Sequence, residues 1–133
     1  MINGLHLLMY STDAPADRAF LRDVLGWAHL IDDDSSARAG EEWLIFRTPP
    51  TELGVHPTEG VGGAEKAPPT QPVTTLHLMC DDITATVAEL RDKGVDIVGE
   101  PTDLGYGVGC EIRLPSGAVI GLYESRHEAA HGL

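Results

Sequence analysis

The sequence is short of positive charge, of cysteine and of long apolar runs, and each shortage closes off a class of function. Nine Lys and Arg face 21 Asp and Glu, a formal net charge of -12. Such a chain repels a phosphate backbone and has few cations to displace its counterions, so no nucleic-acid partner is expected. The two cysteines, Cys80 and Cys110, form no CxxC pair. They predict neither a thiolate metal cluster nor a disulfide framework, and both read as buried thiols serving as small apolar groups. No stretch approaches the roughly 18 to 20 uninterrupted apolar residues of a membrane span, and the first residues lack the basic-then-apolar layout of a signal peptide. A cytoplasmic protein with no membrane partner is expected. Catalytic signatures are missing too: there is no Ser-His-Asp or Cys-His order and no nucleophile elbow. The run Gly105-Tyr106-Gly107-Val108-Gly109 is followed by a strand rather than a helix start, so it is not a phosphate-cradling loop. A hinged lid is its alternative reading.

What is present is a repeat. In 133 residues, 42% of them hydrophobic, Leu5-His6-Leu7 recurs as Leu76-His77-Leu78 and Leu21-Arg22-Asp23 as Leu90-Arg91-Asp92. In the same order, Phe46-Arg47-Thr48-Pro49 answers to Ile112-Arg113-Leu114-Pro115, and Leu53-Gly54-Val55-His56 to Ile120-Gly121-Leu122-Tyr123. Each match is weak alone, but four in one order mark a duplicated unit. The local signals repeat with it. Apolar runs at residues 4 to 10 and 73 to 80 have strand length. Thr12 or Asp13 can cap a helix that begins near Pro15, with Ala16, Phe20 and Val24 on its apolar face and Gly26 as its stop. Asp82 can cap a second helix, with Ile83, Val87 and Leu90 spaced along one face and Gly94 as its stop. Strand-like segments follow at 27 to 31, 42 to 48 and 52 to 56, and again at 95 to 98, 108 to 114 and 118 to 124.

The expected fold is therefore α+β, a single domain of two tandem βαβββ modules. Module one covers about residues 3 to 56 and module two about 73 to 125. Residues 57 to 72, with four prolines and three glycines, form a linker between them. The acidic turn from Asp32 to Gly40 is an exposed loop, and the tail from 126 to 133 is expected to fray.

Laid out in this way, the chain resembles the vicinal-oxygen-chelate superfamily, which includes glyoxalase I, fosfomycin-resistance proteins, bleomycin-binding proteins and extradiol dioxygenases. The resemblance covers about residues 3 to 125. It is carried by His6 followed by Asp13 and the stretch from Phe20 to Trp27, and by Tyr106-Gly107 leading to Leu114-Pro115-Ser116-Gly117. The latter is similar to the family's "DPxG" turn, with Leu114 in place of the Asp. The resemblance implies a cupped mixed sheet that holds a divalent metal or a small molecule. It also implies a homodimer, often with each cup assembled from both chains.

Metal enzymes of that family draw ligands from the first and last strands of each half. His6 and His77 occupy the first-strand positions, and imidazole is the commonest ligand for such metals. The carboxylate positions fall at Gly54 and Gly121, which offer no side-chain donor. His56 and Glu111 are the substitutes the sequence offers. With one of them, His6 and His77 describe a divalent-metal-dependent lyase or dioxygenase using zinc, nickel, manganese or iron. Without them, the same histidines line a metal-free cup, with His6 or His77 as the candidate general base. Strand parity sets Leu8 and Tyr10 beside His6, and Met79 beside His77. Trp43 and Tyr106 add flat walls, so the substrate-binding candidates are His6, Tyr10, Trp43, His56, His77, Met79 and Tyr106. Arg47 and Arg113, at equivalent positions, read either as an anion clamp or as charged strand ends before a turn. Trp27 reads as core, and His29, His127 and His131 as surface or tail residues. The paired loss of carboxylates favours capture of an apolar or aromatic small molecule.

Overall fold

The computed structural model describes residues 1–32, 43–55 and 74–132. The predicted linker, the acidic loop after Asp32 and His56 fall outside those residues. The second half is a complete βαβββ unit: β3 (His77–Cys80), α2 (Ile83–Asp92), β4 (Asp96–Asp103), β5 (Gly107–Arg113) and β6 (Val119–Ser125). The first half contributes α1 (Ala14–Ala19), a π-helical turn (Phe20–Val24), β1 (His29–Asp32) and β2 (Trp43–Phe46).

Both helices begin and end on the predicted side chains. Asp13 accepts from the Ala16 N–H at 3.2 Å and Asp82 from the Ala85 N–H at 2.9 Å, so each Asp satisfies a backbone donor left open at a helix start. Glu124 on β6 takes a further one, the Ile83 N–H, at 3.0 Å. At the far ends the chain turns away through Gly26 and Gly94, both at positive φ (69° and 79°), a backbone shape that a Cβ disfavours. Ile83, Val87 and Leu90 are buried, which identifies the apolar face of α2.

The second-half sheet runs β3-β6-β5-β4, with β3 parallel to β6 and the other pairs antiparallel. Its convex face carries Ile112, Ile120 and Leu122, which pack with Ile83, Val87, Leu90, Leu114 and Phe20 into one core. Phe20 brings the first half into that core. A polar contact reinforces the junction: the buried Asp17 carboxylate accepts from Ser11 Oγ at 2.7 Å and from the Ser116 N–H at 3.0 Å. The turn Leu114-Pro115-Ser116-Gly117 thus takes its carboxylate from α1, while Leu114, where the family motif has Asp, is buried apolar packing.

The first half departs from the prediction at its outer strands. Residues 4 to 10 and 52 to 55 carry no sheet pairing, and Leu5, Leu7, Leu8 and Tyr10 are exposed. Apolar alternation suits a segment to a sheet, but a strand forms only where a neighbouring edge supplies its hydrogen bonds. Among the described residues this segment pairs with no strand edge. β1 and β2 form a separate antiparallel pair, with His29 opposite Phe46. Among the described residues, no helix is long and apolar enough to cross a membrane.

Candidate functional site

The concave face of the second-half sheet is organised by two cross-strand rows. In the first, Val98, Glu111, Gly121 and His77 stand side by side on β4, β5, β6 and β3. In the second the order is Thr102, Gly109, Tyr123 and Met79. Neighbours in register share a face, so these eight positions look into the cup while Leu122, Ile112 and Cys110 alternate to the opposite side. A bulge between Val98 and Thr102 bends β4 around its rim.

Glycines let aromatic rings lie down on this surface. A Cβ at Gly121 would overlap the imidazole of His77, whose ring therefore occupies the space of a side chain at 121. A Cβ at Gly109 would come within 2.8 Å of Tyr123 Cβ, and one at Gly107 within 3.0 Å of the Tyr123 ring. Gly107 and Gly109 sit inside β5 and are buried, and a Cβ at either would first meet a β6 backbone carbonyl, that of Glu124 or of Leu122. Tyr123 in turn meets His77 edge-on, with ring centroids 6.0 Å apart, and Tyr106 edge-on at 5.4 Å. Edge-to-face contacts of this kind fix ring orientation. A cavity of about 270 Å³ runs from His77 along β4 and β5, lined among others by Val98, Thr102, Tyr106, Glu111 and Gly121 and also by Cys110 and Leu122.

A second cluster ties Tyr123 to the residues after β6. His127 Nε2 lies 3.4 Å from both Tyr123 Oη and Glu52 Oε1, and its Nδ1 lies 3.0 Å from the Glu128 carbonyl. Glu52 Oε2 accepts the Ala130 N–H at 2.8 Å. Burial first, then the Glu52 carboxylate, pushes the Tyr123 phenol above its usual value. Arg126 forms a two-pronged pair with Asp103 at 2.7 and 2.8 Å, and this holds the loop that carries Tyr106. The residues after 125, expected to fray, are thus anchored at several points.

Comparison with known proteins places this architecture. The chain matches the family model of the Glyoxalase/Bleomycin resistance protein/Dioxygenase superfamily over residues 5 to 122. It belongs to that superfamily. Among curated proteins no relative matches. Solved structures of like fold include TnmS3, an antibiotic binding protein from Streptomyces sp. CB03234, at 21% identity and TM-score 0.58, covering 94% of this chain and 99% of that one. A virulence protein from Salmonella typhimurium aligns at 20% identity and TM-score 0.58, covering 94% and 98%. A lactoylglutathione lyase from Agrobacterium tumefaciens aligns at 15% identity and TM-score 0.53, covering 87% and 88%. At these identities the likeness is one of fold.

The superfamily's shared cup brings together some of the predicted residues and not others. His77, Tyr106 and Glu111 line the same cavity, while Met79, opposite Tyr123 in the second row, is not part of its lining. His6 and Tyr10 lie in the exposed segment without sheet pairing, apart from the cavity lining. Trp43 enters β2 through its backbone, and its side chain, like all of His56, lies outside the described residues. The family's metal chemistry needs three or four converging donors. Among the described residues no group of three or more His, Cys, Asp or Glu side chains is placed to hold an ion. Of the candidate ligands, His77 and Glu111 stand on either side of Gly121 in one row, His6 lies apart from them, and His56 falls outside the described residues.

Several outcomes concern residues outside that set. Arg113 gives its guanidinium to Asp96 at 3.1 Å and to the Gly117 carbonyl at 3.3 Å, as a charged strand end does, and not to an anion clamp. Cys80 and Cys110 are half-buried free thiols, and burial raises both above the usual thiol value. Sequence reasoning missed Tyr123, although parity from Gly121 placed it on the same strand face. It also missed Glu52 and His127, for which no local signal exists.

Proposed function

We propose that this chain is a small-molecule-binding member of its superfamily, and that the concave face of the second-half sheet holds a flat apolar or aromatic molecule. One observation carries the reading: a cavity of about 270 Å³ lined by His77, Tyr106, Leu104 and the glycines 109 and 121. Its size lies just below the roughly 300 to 1,000 Å³ typical of ligand pockets, which suits a compact molecule. The fold shared with an antibiotic binding protein is in keeping with it. The proposal extends to a homodimer, as is common for such folds. Its support is the row of exposed apolar side chains from Leu5 to Tyr10 and the outer edge of β3, which pairs with nothing among the described residues.

A thermal-shift screen of aromatic, polyketide-like and glycopeptide compounds tests the binding reading. A ligand at a hundredfold excess over its Kd should stabilise the protein by about 2.7 kcal/mol. Tyr106→Ala should abolish that shift while leaving the unliganded melting temperature nearly unchanged. A screen without a single stabilising compound would count against the cup. Stoichiometric zinc, nickel, manganese or iron that is lost on His77→Ala would replace this reading with a metal-dependent lyase or dioxygenase. Sedimentation of the purified chain as a monomer at micromolar concentration would remove the dimer.

A further inference from the structure

Resting on that binding reading, we infer that Arg126 and His127 are positioning residues: the segment after β6 is a strap, fastened to Glu52 in the first half, that holds the aromatic lining of the cup in its binding shape. The turn between β4 and β5 carries two of the side chains that line the cavity, Leu104 and Tyr106. Arg126 grips that turn before, within and after its tip. Its guanidinium donates to both oxygens of Asp103 at 2.7 and 2.8 Å and to the Gly105 carbonyl at 3.2 Å, and its backbone N–H donates to the Tyr106 carbonyl at 3.0 Å. Asp103 Oδ1 also accepts the Gly105 N–H at 2.8 Å. The turn pivots on Gly105, at a φ of 87°, and glycine admits many other backbone shapes, so these contacts select one of them.

His127 reaches the lining by a second route. Its ring lies tilted against Tyr123 with centroids 6.3 Å apart, and Tyr123 meets both Tyr106 and His77 edge-on. Tyr123 is buried, so a shift of its ring passes to its packed neighbours instead of being absorbed by open space. The far end of the strap is fixed by Glu52, whose one oxygen accepts the Ala130 N–H at 2.8 Å while the other lies 3.4 Å from His127 Nε2. Neither Glu52 nor the strap lines the cavity. Arg126 and Asp103 are both about half exposed, and an exposed pair adds little to global stability. Its loss therefore acts on the shape of the turn more than on the melting of the domain.

Full-length variants test the strap through three readouts: the nuclear Overhauser contact between the Tyr106 and Tyr123 rings, amide exchange along the chain, and the Kd of 2-naphthol, a neutral flat probe. Arg126→Ala should erase the contact between Tyr106 and Tyr123 while keeping that between Tyr123 and His77, and should speed exchange at Leu104 and Gly105. It should weaken 2-naphthol about tenfold, the loss expected when the turn holds its binding shape one tenth of the time. Arg126→Lys keeps the charge without the fork and should recover part of each loss. Glu52→Ala and His127→Ala should each weaken the probe about threefold from outside the cavity. Because coupling is reciprocal, 2-naphthol should in return slow exchange at Ala130 in the wild-type chain. Lys93→Ala breaks a similarly exposed pair on α2 and should change nothing. An unaltered Kd in Arg126→Ala, or an Ala130 amide indifferent to bound probe, would overturn the strap and leave the cup standing. Equal losses in Arg126→Ala and Lys93→Ala would do so too, by tracing the effect to general loosening. If 2-naphthol does not bind the wild-type chain, the cup reading falls and this inference falls with it.

Discussion

The seating of His77 on Gly121 predicts a sign that ordinary strand chemistry would get wrong. Within a strand, replacing Gly by Ala usually stabilises by roughly 0.5 to 1 kcal/mol, because Ala loses less backbone entropy on folding. At Gly121 the added methyl has no room: its carbon would overlap the imidazole, so the ring must leave its position or the strands must part. Overpacking of this kind costs about 1 to 3 kcal/mol. Gly121→Ala should therefore destabilise by about 1 to 2 kcal/mol, a fall in Tm of roughly 4 to 8 °C for a domain of this size. The second arm is His77→Ala, which empties the slot. In that background Gly121→Ala should become neutral or stabilising, so the double-mutant cycle should give a coupling of about 2 kcal/mol between the two positions. Urea melts of the four proteins, with equal m-values, would supply the numbers. A stabilising Gly121→Ala in the wild-type background, or a cycle that closes at zero, would refute the placement of the ring and with it the floor of the cup.

Two further outcomes follow from contacts that join distant parts of the chain. Asp17→Ala should cost about 1 to 3 kcal/mol in chemical denaturation, because it strands the Ser116 N–H at the seam between the halves, and no comparable loss should accompany Asp13→Asn, which keeps its helix cap. Asp103 is pulled from the ordinary Asp value down to about 2, first by its hydrogen bond from Arg126 and then by the Gly105 N–H. Its folded value lies below the unfolded one, so its stabilisation is present above about pH 4 and is lost as pH falls through about 2. A carboxyl NMR titration should find it there, and Arg126→Ala should return it toward the ordinary Asp value; an unmoved titration would discount the pair.

Much of the second half was legible because its signals are local. Asp82 and Gly94 bracket a helix through a side chain and a backbone angle that depend on only a few neighbours, and the spacing of Ile83, Val87 and Leu90 follows from helix geometry alone. The face of Glu111 was not legible, since it depends on register across three strands and on a bulge at 98 to 102. The same holds for the tail, whose anchors Asp103 and Glu52 lie far back in the sequence. The glycines were visible, but what lies against them was not: read along the chain, Gly121 is an absent carboxylate, and read across the sheet it is also where the His77 ring rests, while Gly107 borders the Tyr123 ring. The first strand shows the converse limit: residues 4 to 10 have a strand's pattern without a neighbouring edge to complete it.

Positions 77 and 121 share one volume and hold one side chain between them. Such a pair behaves as a single locus with two genetic addresses. A carboxylate at 121 is not obtained by one substitution, because the imidazole must first be rehoused, and an intermediate that carries both would be the least stable of the series. A larger side chain at 121 therefore requires a move and a replacement together, a change of two positions at once.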